Sequence, residues 1–377
     1  MKVLHLASFQ GNSGDGANHA GFRSCFCSAV NGPVEFTPFE IRQTYWGEKS
    51  FDVDFVREAN AHDLVIVGGG NFFELSIEKS RTGTTFDVPP EQLARIRTPM
   101  IFNGLGCDRH KGFSSSTVSR FRSFLDYVLS ERRFAVSMRN DGSLETVRSV
   151  LGESYASRIT RIADCGFFLD LPGTSTIQPV VAVNVAADMP ELRFDAHGAK
   201  GRVLSSGEAM GELAAAIGSL LESNPELGVA FVPHVYSDIG AISEVMRQIP
   251  DKLRRRRISV AAYSCASDGY RDIFQTYRSA RVVLGMRFHA TVCSIGMGRP
   301  VVCLMSYPKM ADLLNEIALP DIGVELYKTG CARKITEKAM AEMADADNIS
   351  RRNVALRSRL WEGNIAFYRQ AVAQILQ

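Results

Sequence analysis

The sequence lacks the features that would place it among membrane-spanning, secreted or nucleic-acid-binding proteins. It has no apolar run of membrane-spanning length. The apolar stretch near its start, MKVLHLASFQGN, is too short and too soon interrupted for a secretory leader. The net charge of only +2 gives no general reason to expect a nucleic-acid partner. We therefore expect a cytoplasmic protein that binds no nucleic acid.

The sequence also lacks the patterns of a metal site. Its eight cysteines do not have metal-ligand spacing: Cys25 and Cys27 are one residue apart, and the others are scattered. Small buried thiols in a reducing compartment explain such cysteines. No cluster of carboxylates requires Mg²⁺. We expect no metal and no resident cofactor.

No dinucleotide-binding fingerprint is present, although a glycine-rich turn follows the first predicted strand. The glycines of QGNSGDG lack the G-x-G-x-x-G spacing, and no acid follows a second strand at the matching place. The turn lies between a strand over 2–8 and a helix predicted from Ala17. Asn12 and Asp15 are the polar groups there that could face an anion or a sugar hydroxyl, and turn or N-cap chemistry is the alternative.

Strands alternate with helices along the whole chain, which predicts parallel sheets covered on both faces. The length of 377 residues favours two domains. A turn-rich segment separates the two halves, and we predict domains over 1–172 and 179–348. The last segment, 349–377, is predicted to be a helix that packs back on the first domain.

In the first half, polar or glycine-rich clusters follow two buried strands. Gly69, Gly70 and Asn71 come directly after DLVIV, where missing side chains let a ligand or a backbone approach. Arg139 comes just past another strand. These positions predict substrate-binding groups, because open α/β sheets bind ligands at the carboxyl ends of their strands; a tight packing turn is the alternative for the glycines.

The second half has the chemically most distinctive stretch, SARVVLGMRFHATVCSIGMGRPVV, which reads as strand, tight turn, helix and strand. The turn carries Arg287 and His289, a guanidinium suited to an anion and an imidazole able to move a proton. The alternative is that Arg287 caps a helix or pairs with a surface acid and that His289 is a packed core histidine. His234, Tyr307 and Lys309 follow other strands of this half.

The one dense basic run, Arg254 to Arg257, is expected to be a solvated helix end. A patch attracted to anionic lipid is the alternative, and it would give peripheral association with the inner face of a membrane.

Taken together, these motifs resemble those of the polysaccharide pyruvyl transferase family. The resemblance rests on their order and spacing over most of the chain: GNSGD at 11–15, VGGGN at 67–71, SMRNDGS at 137–143, the 164–167 stretch, PHVYSD at 233–238, GMRFHA at 285–290 and SYPKM at 306–310. Two departures stand out. Gly285 occupies a position that is often serine in relatives, and Asn140 displaces the acid after Arg139, whose partner would then be Asp141.

The resemblance implies a fold of two Rossmann-like domains facing a central cleft, of the GT-B glycosyltransferase type. It also implies transfer of a pyruvyl group from phosphoenolpyruvate to a sugar of a surface polysaccharide or its lipid-linked precursor, as a ketal. Arg139 and Arg287 would bind the donor and His289 would protonate it. Asp15 or His234 would be the base for the acceptor.

Two other functions stay open: a nucleotide-sugar glycosyltransferase of the same fold, and a non-catalytic carbohydrate-binding protein of a polysaccharide-assembly system. The acceptor sugar cannot be read from the sequence, because it depends on loops such as 43–50 and 187–206. The oligomeric state is equally open.

Overall fold

The computed structural model describes residues 1–194 and 203–375. The second half of the predicted acceptor loop, from 195 onward, therefore lies largely outside the described residues. By contacts between residues, the chain divides into two compact units. Unit 1 is Met1–Phe9, Phe22–Cys165 and Arg359–Gln377, and unit 2 is Gln10–Gly21 and Gly166–Ser358.

The units change at Cys165 and Gly166, earlier than the predicted segment 172–179, and the division differs from the predicted domains at two further places. The glycine-rich turn belongs to unit 2, although it lies near the start of the chain. The terminal helix contributes only its last part, from Arg359, to unit 1. The boundaries at 172, 179 and 349, and the cleft between the domains, stay predictions.

Each unit is built on a parallel sheet of six strands among the described residues. The sheet of unit 1 has the order β2-β1-β3-β4-β5-β6 and that of unit 2 the order β12-β11-β10-β7-β8-β9. The strands are β1 (Lys2–Ala7), β2 (Glu35–Glu40), β3 (Leu64–Gly68), β4 (Met100–Leu105), β5 (Phe134–Arg139), β6 (Thr160–Ile162), β7 (Val180–Asn184), β8 (Gly228–Phe231), β9 (Ile258–Val260), β10 (Val282–Gly285), β11 (Val301–Met305) and β12 (Gly323–Glu325).

Helices cover the sheets, as the alternating pattern predicts. They are α1 (Ser13–Ala29), α2 (Arg42–Tyr45), α3 (Val53–Asn60), α4 (Pro90–Leu93), α5 (Ser115–Ser130), α6 (Ser143–Leu151), α7 (Glu153–Ala156), α8 (Pro190–Arg193), α9 (Ser206–Ser223), α10 (Asp238–Arg247), α11 (Asp251–Arg257), α12 (Tyr270–Ser279), α13 (Phe288–Gly296), α14 (Lys309–Glu316), α15 (Cys331–Ala344) and α16 (Ala346–Ile375). None of the described helices combines the length and the apolar character needed to cross a bilayer.

The central strands are buried along their whole length, because helices cover both faces. All five residues of β3 are buried, as its uninterrupted apolar sequence predicts. The core of unit 1 is rich in phenylalanine: the rings of Phe73 and Phe121 meet edge to face with centroids 5.3 Å apart. Such a pair adds about 1 kcal/mol beyond the apolar area that it buries.

Helix α1 and strand β12 are among the elements that differ from prediction. Helix α1 begins at Ser13 and not at Ala17, so the glycine-rich turn continues directly into the helix. The side chain of Asn12 accepts a hydrogen bond from the backbone N–H of Gly14 at 3.0 Å, which supports this early start. The short strand β12 was not predicted, because three residues beginning with glycine carry no alternating pattern.

The basic run forms the end of α11, and three of its four arginines make contacts inside the protein. Arg254 and Arg255 pair with Asp251 at 2.8 Å. Arg257 donates to the backbone carbonyl of Leu227, through Nε at 2.6 Å, and to that of Leu221. These contacts match the expected helix end. Peripheral membrane association stays a prediction.

The last part of α16 packs in unit 1, as predicted for the terminal helix. The Asn364 side chain accepts from the backbone N–H of Ala163 at 2.9 Å and donates to its carbonyl at 3.0 Å. Tyr368 is fully buried and donates to the Asn103 side chain at 2.7 Å. Its hydroxyl also lies 3.4 Å from the sulfur of Cys165, whose pKa burial raises to about 12.

We expect Tyr368→Phe to destabilise the protein by about 1–3 kcal/mol, because the buried Asn103 oxygen would lose its donor. Tyr155→Phe is the matched control, since its hydroxyl bonds Asp126 at an exposed site; its effect should stay below about 0.5 kcal/mol. Urea unfolding followed by circular dichroism measures both. Equal midpoints for the two variants would show that the buried bond does not anchor the helix.

Candidate functional site

The predicted site residues fall into two groups, one in each unit. Unit 2 contains Asn12, Asp15, His234, Arg287, His289, Tyr307 and Lys309; unit 1 contains Gly69, Gly70, Asn71 and Arg139. Within each unit the carboxyl ends of the parallel strands bring these side chains to one edge of the sheet.

In unit 2, the first turn of α1 packs against the turn that follows β10. A Cβ atom added to Gly14 would lie 2.6 Å from Nδ1 of His289, so only glycine lets the two segments approach this closely. The backbone N–H of Ser13 donates to the His234 carbonyl at 3.1 Å. The Tyr263 hydroxyl donates to the Gly11 carbonyl at 3.2 Å. The glycine-rich turn and His289 therefore form one site within unit 2.

Arg287 lies at the N-cap of α13, and two aspartates hold its guanidinium. Its Nε donates to both carboxylate oxygens of the fully buried Asp238, at 2.8 and 3.0 Å, and Nη2 donates to Asp188 at 2.9 Å. Its backbone N–H donates to the Asn184 side chain, at the end of β7, at 2.8 Å. Burial alone would lower the pKa of Arg287, but the hydrogen bonds and charge of Asp238 and Asp188 outweigh it and raise the pKa.

Arg193, which sequence reasoning did not single out, extends this ion cluster. It is buried and donates to the Asp188 side chain at 3.2 Å and to the Ser306 hydroxyl at 3.1 Å. Burial lowers the pKa of Arg193, and the charge of Asp188 offsets this only in part. Burial would raise the pKa of Asp188, yet the charges of Arg287 and Arg193 bring it below its ordinary value.

The cluster of Arg193, Arg287, Asp188 and Asp238 is balanced, with two positive and two negative side chains. Arg287 is therefore a guanidinium in a fixed orientation and not a freely moving side chain. Further positive character at this edge comes from the N-terminus of α1 and from Lys309, whose Nζ lies 5.7 Å from the centroid of the Phe288 ring. The Tyr307 ring lies 5.9 Å from the Arg193 guanidinium carbon.

His234 is placed less favourably for its predicted role as a base. It is 1% exposed, and its Nε2 lies 2.8 Å from the buried Tyr277 hydroxyl. Burial, with the charges of Arg287 and His289, lowers the pKa of His234 well below its ordinary value. A neutral imidazole already engaged with Tyr277 favours a structural role.

In unit 1, Arg139 is also held by two acids. It pairs with Asp141, the partner predicted from the departure at Asn140, and its Nη1 lies 3.5 Å from the carboxylate of Asp164. All three side chains are buried. Asn140 accepts from the Asp164 backbone N–H at 2.8 Å, which ties the ends of β5 and β6 together.

Asn71 lies beside this arginine. A Cβ on Gly106 would lie 2.3 Å from Oδ1 of Asn71 and 2.8 Å from Nη2 of Arg139, so both side chains reach the same glycine. The backbone N–H of Gly106 donates to the carbonyl of Gly70 at 2.9 Å. Gly69 has a φ of +85°, which favours glycine at that position. The predicted group of unit 1 is therefore contiguous.

Sequence reasoning missed the role of the acids. Asp238 and Asp164 stand in motifs that resemble the family, and Asp188 follows the end of β7 by four residues. The position of these acids after strands could have identified them in the sequence. The sequence could not show which arginine each acid pairs with, because partners such as Asp188 and Arg287 are 99 residues apart.

Comparison with known proteins agrees with this architecture. The family model described as polysaccharide pyruvyl transferase matches residues 18–306, a range that contains Arg139, Arg287 and His289. Asn12, Asp15, Tyr307 and Lys309 lie outside that range. No curated protein matches the chain.

Among solved structures, the chain is similar to a co-structure of S. aureus MnaA with UDP, with TM-score 0.53, 11% identity, and coverage of 96% of this chain and 92% of that one. It is also similar to a protein described as a UDP-N-acetylglucosamine 2-epimerase of Listeria monocytogenes, with TM-score 0.55, 11% identity, and coverage of 94% and 90%. A UDP-forming trehalose-phosphate synthase of Burkholderia vietnamiensis has TM-score 0.52, 10% identity, and coverage of 100% and 97%. These likenesses confirm the predicted α/β fold of the GT-B type.

The buried His234 predicts a pH dependence of stability. Its pKa is depressed in the folded state, so it is neutral in both states above its ordinary value of 6.5. Below that pH the unfolded chain takes up a proton that the native site resists, and stability is lost as the pH falls.

We expect His234→Gln to flatten the fall in unfolding free energy below pH 6.5, whatever its effect at neutral pH. Chemical denaturation at several pH values measures this slope, with His62→Gln, at a partly exposed site, as the control. An unchanged slope in the His234 variant would mean that this imidazole is not the group that resists protonation.

Proposed function

Because the chain belongs to the polysaccharide pyruvyl transferase family, we propose that it transfers a pyruvyl group from phosphoenolpyruvate to a sugar of a surface polysaccharide or its lipid-linked precursor. The observation that carries this proposal is the family match over residues 18–306. Phosphoenolpyruvate serves as co-substrate, and the proposed reaction uses no metal and no other cofactor. A cytoplasmic location, where this donor is made, is part of the proposal.

The geometry of unit 2 supports this chemistry. The donor is a small molecule with a carboxylate and a phosphate. The N-terminus of α1, a helix of 17 residues, favours negative charge, and His289 packs directly against its first turn. Arg287 adds a guanidinium that Asp238 and Asp188 hold in place. We propose that these groups bind the donor, with Tyr307 and Lys309 as further contacts and Asn12 at the turn.

In the proposed mechanism, His289 donates a proton to the methylene carbon of the enol, which develops an oxocarbenium centre at C2. A sugar hydroxyl attacks C2 and gives its proton to a base. Phosphate then leaves and takes up the proton that the base accepted. A second hydroxyl attacks C2 and closes the ketal, and its proton returns to the imidazole of His289. Asp15 is the preferred base, because it lies in the first turn of α1 and is partly exposed, whereas His234 is buried and bonded to Tyr277.

Arg139 is proposed as a substrate-binding group of unit 1, together with Gly69, Gly70 and Asn71. Two observations support this role: Arg139 lies within the family match, and its side chain and that of Asn71 both lie close to Gly106.

The direct test is incubation of the protein with phosphoenolpyruvate and a panel of sugars while phosphate release is followed. We expect His289→Asn to lower kcat by about 10²–10⁴-fold, as for loss of a general acid. Arg287→Lys keeps the charge but loses the two-pronged contact with Asp238, and should lower kcat/KM. His62→Asn and Arg57→Lys, at surface positions of unit 1, are the matched controls. Near-normal turnover by both site variants would refute the assignment.

Gly14→Ala probes the packing of α1 on His289. The added Cβ would meet the imidazole at 2.6 Å, so the ring must shift. A displacement of this kind can cost about 100-fold in rate. Gly218→Ala, in the middle of α9 with no atom within 4 Å of the new Cβ, should be neutral or slightly stabilising. Wild-type turnover by Gly14→Ala would show that the close packing of this turn on His289 is not needed for the reaction.

The two alternatives give different results in the same preparation. A nucleotide-sugar glycosyltransferase would be stabilised thermally by UDP, the nucleotide named for one structural neighbour, and not by phosphoenolpyruvate. A non-catalytic carbohydrate-binding protein would bind sugars without releasing phosphate from phosphoenolpyruvate.

A further inference from the structure

Unit 1 contains a second feature that the proposed reaction has not used, a cavity of about 810 Å³. Its walls come from 44–51, from 74–87 and from Lys111. This volume lies within the range of about 300–1,000 Å³ that is typical of small-molecule sites.

One wall is a hydroxyl-rich turn held rigid by its own hydrogen bonds. The Ser80 and Thr82 hydroxyls lie 3.1 Å apart, and those of Thr82 and Thr84 lie 3.0 Å apart. Asp87 closes the turn by accepting from the backbone N–H of Arg81 at 2.6 Å. Ser80, Thr84 and Thr85 line the cavity, whereas Thr82 supports them from a fully buried position. A hydroxyl oxygen keeps acceptor capacity beyond one hydrogen bond, so this wall offers polar groups to the hydroxyls of a sugar.

An exposed aromatic side chain also lines the cavity. Tyr45 is 56% exposed, and it shares a side-chain hydrogen bond with Thr85, another residue of the lining. An exposed aromatic ring at a cavity wall is suited to cover the apolar face of a sugar ring.

The charges around the cavity are predominantly positive. Lys111 pairs with Glu74 at 2.5 Å, and Arg81 pairs with Asp87 at 3.3 Å, so these four charges balance. Lys49 and Lys79 also line the cavity and are exposed. They add two positive charges at its mouth, which favour an anionic ligand.

The cavity adjoins the predicted substrate-binding group of unit 1. Glu74, part of its wall, accepts from the Asn71 side chain at 3.4 Å, and the Glu74 backbone N–H donates to the Asn71 carbonyl at 3.3 Å. Asn71 in turn shares the approach to Gly106 with Arg139. A ligand in the cavity would therefore lie beside those residues.

We propose that this cavity binds the acceptor and that the acceptor is an anionic saccharide, whose sugar ring meets Tyr45 and whose charged group meets Lys49 and Lys79. The proposal deepens the transfer function proposed above. It rests on that function only for the statement that the ligand of the cavity is the acceptor. The anion is the carboxylate of a uronic acid or the phosphate of a glycosyl phosphate. The same exposed lysines would bind either group.

Binding is measured apart from turnover, by titration calorimetry with the full-length protein. The probes are a disaccharide that ends in glucuronic acid, its neutral glucose counterpart, and glucose 1-phosphate. We expect the anionic probes to bind about fivefold more tightly than the neutral disaccharide, as two exposed ion pairs allow. The stronger of the two anionic probes identifies the source of the charge.

Lys49→Gln combined with Lys79→Gln should remove this preference and leave the neutral disaccharide unaffected. Tyr45→Ala should weaken the binding of all three probes. Lys2→Gln is the matched control, since Lys2 is an exposed lysine at the amino end of β1, the opposite edge of the same sheet. Equal binding of charged and neutral probes to the wild type, or an unchanged preference in the double variant, would overturn the proposal.

Failure of the cavity proposal can be distinguished from failure of the proposed function. Anionic sugars that bind without any phosphate release from phosphoenolpyruvate would support the cavity and refute pyruvyl transfer. Turnover that is unaffected by the double lysine variant, on neutral and anionic acceptors alike, would support transfer and refute the cavity.

Discussion

The candidate site of unit 2 depends on the compensation of two positive charges, that of the buried Arg193 and that of the largely buried Arg287. An ionised side chain moved out of water loses several kcal/mol of hydration, and only a well-placed counter-charge recovers it. The guanidinium of Arg287 meets this condition with the fully buried Asp238 and with Asp188, which Arg193 shares. Removing one partner from such a cluster costs about 3–5 kcal/mol, so the positions of these side chains are coupled.

Unit 1 has the same arrangement at the end of a different strand. Arg139 is buried between Asp141 and Asp164, as Arg287 is between Asp238 and Asp188. In both units the acids fix the direction of a guanidinium before any ligand arrives. Preorganised donors of this kind stabilise developing charge without reorganising during the reaction, which is what phosphate departure from an enol phosphate requires.

Helix α1 packs against His289, the proposed proton donor. Its first turn belongs to unit 2, where Gly14 lets the helix approach His289 closely. In the proposed function, the helix N-terminus holds the phosphate of the donor and the imidazole beside it gives the proton. The cavity beside Asn71 in unit 1 is proposed to hold the carbohydrate, with hydroxyl groups, one exposed aromatic ring and two lysines in its lining.

The sequence by itself determined the α/β class, every strand of the two sheets except β12, and the residue types at their carboxyl ends, because these follow from local periodicity. An apolar run such as DLVIV predicts a buried strand wherever it occurs. It also carried the family resemblance that the comparison confirmed. Only the tertiary structure decided that Arg287 is held by two aspartates, that His234 is bonded to Tyr277, and that Gly14 meets His289. These contacts join residues that are tens to hundreds of positions apart, and the packing of the whole sheet, not any local pattern, sets which of them meet.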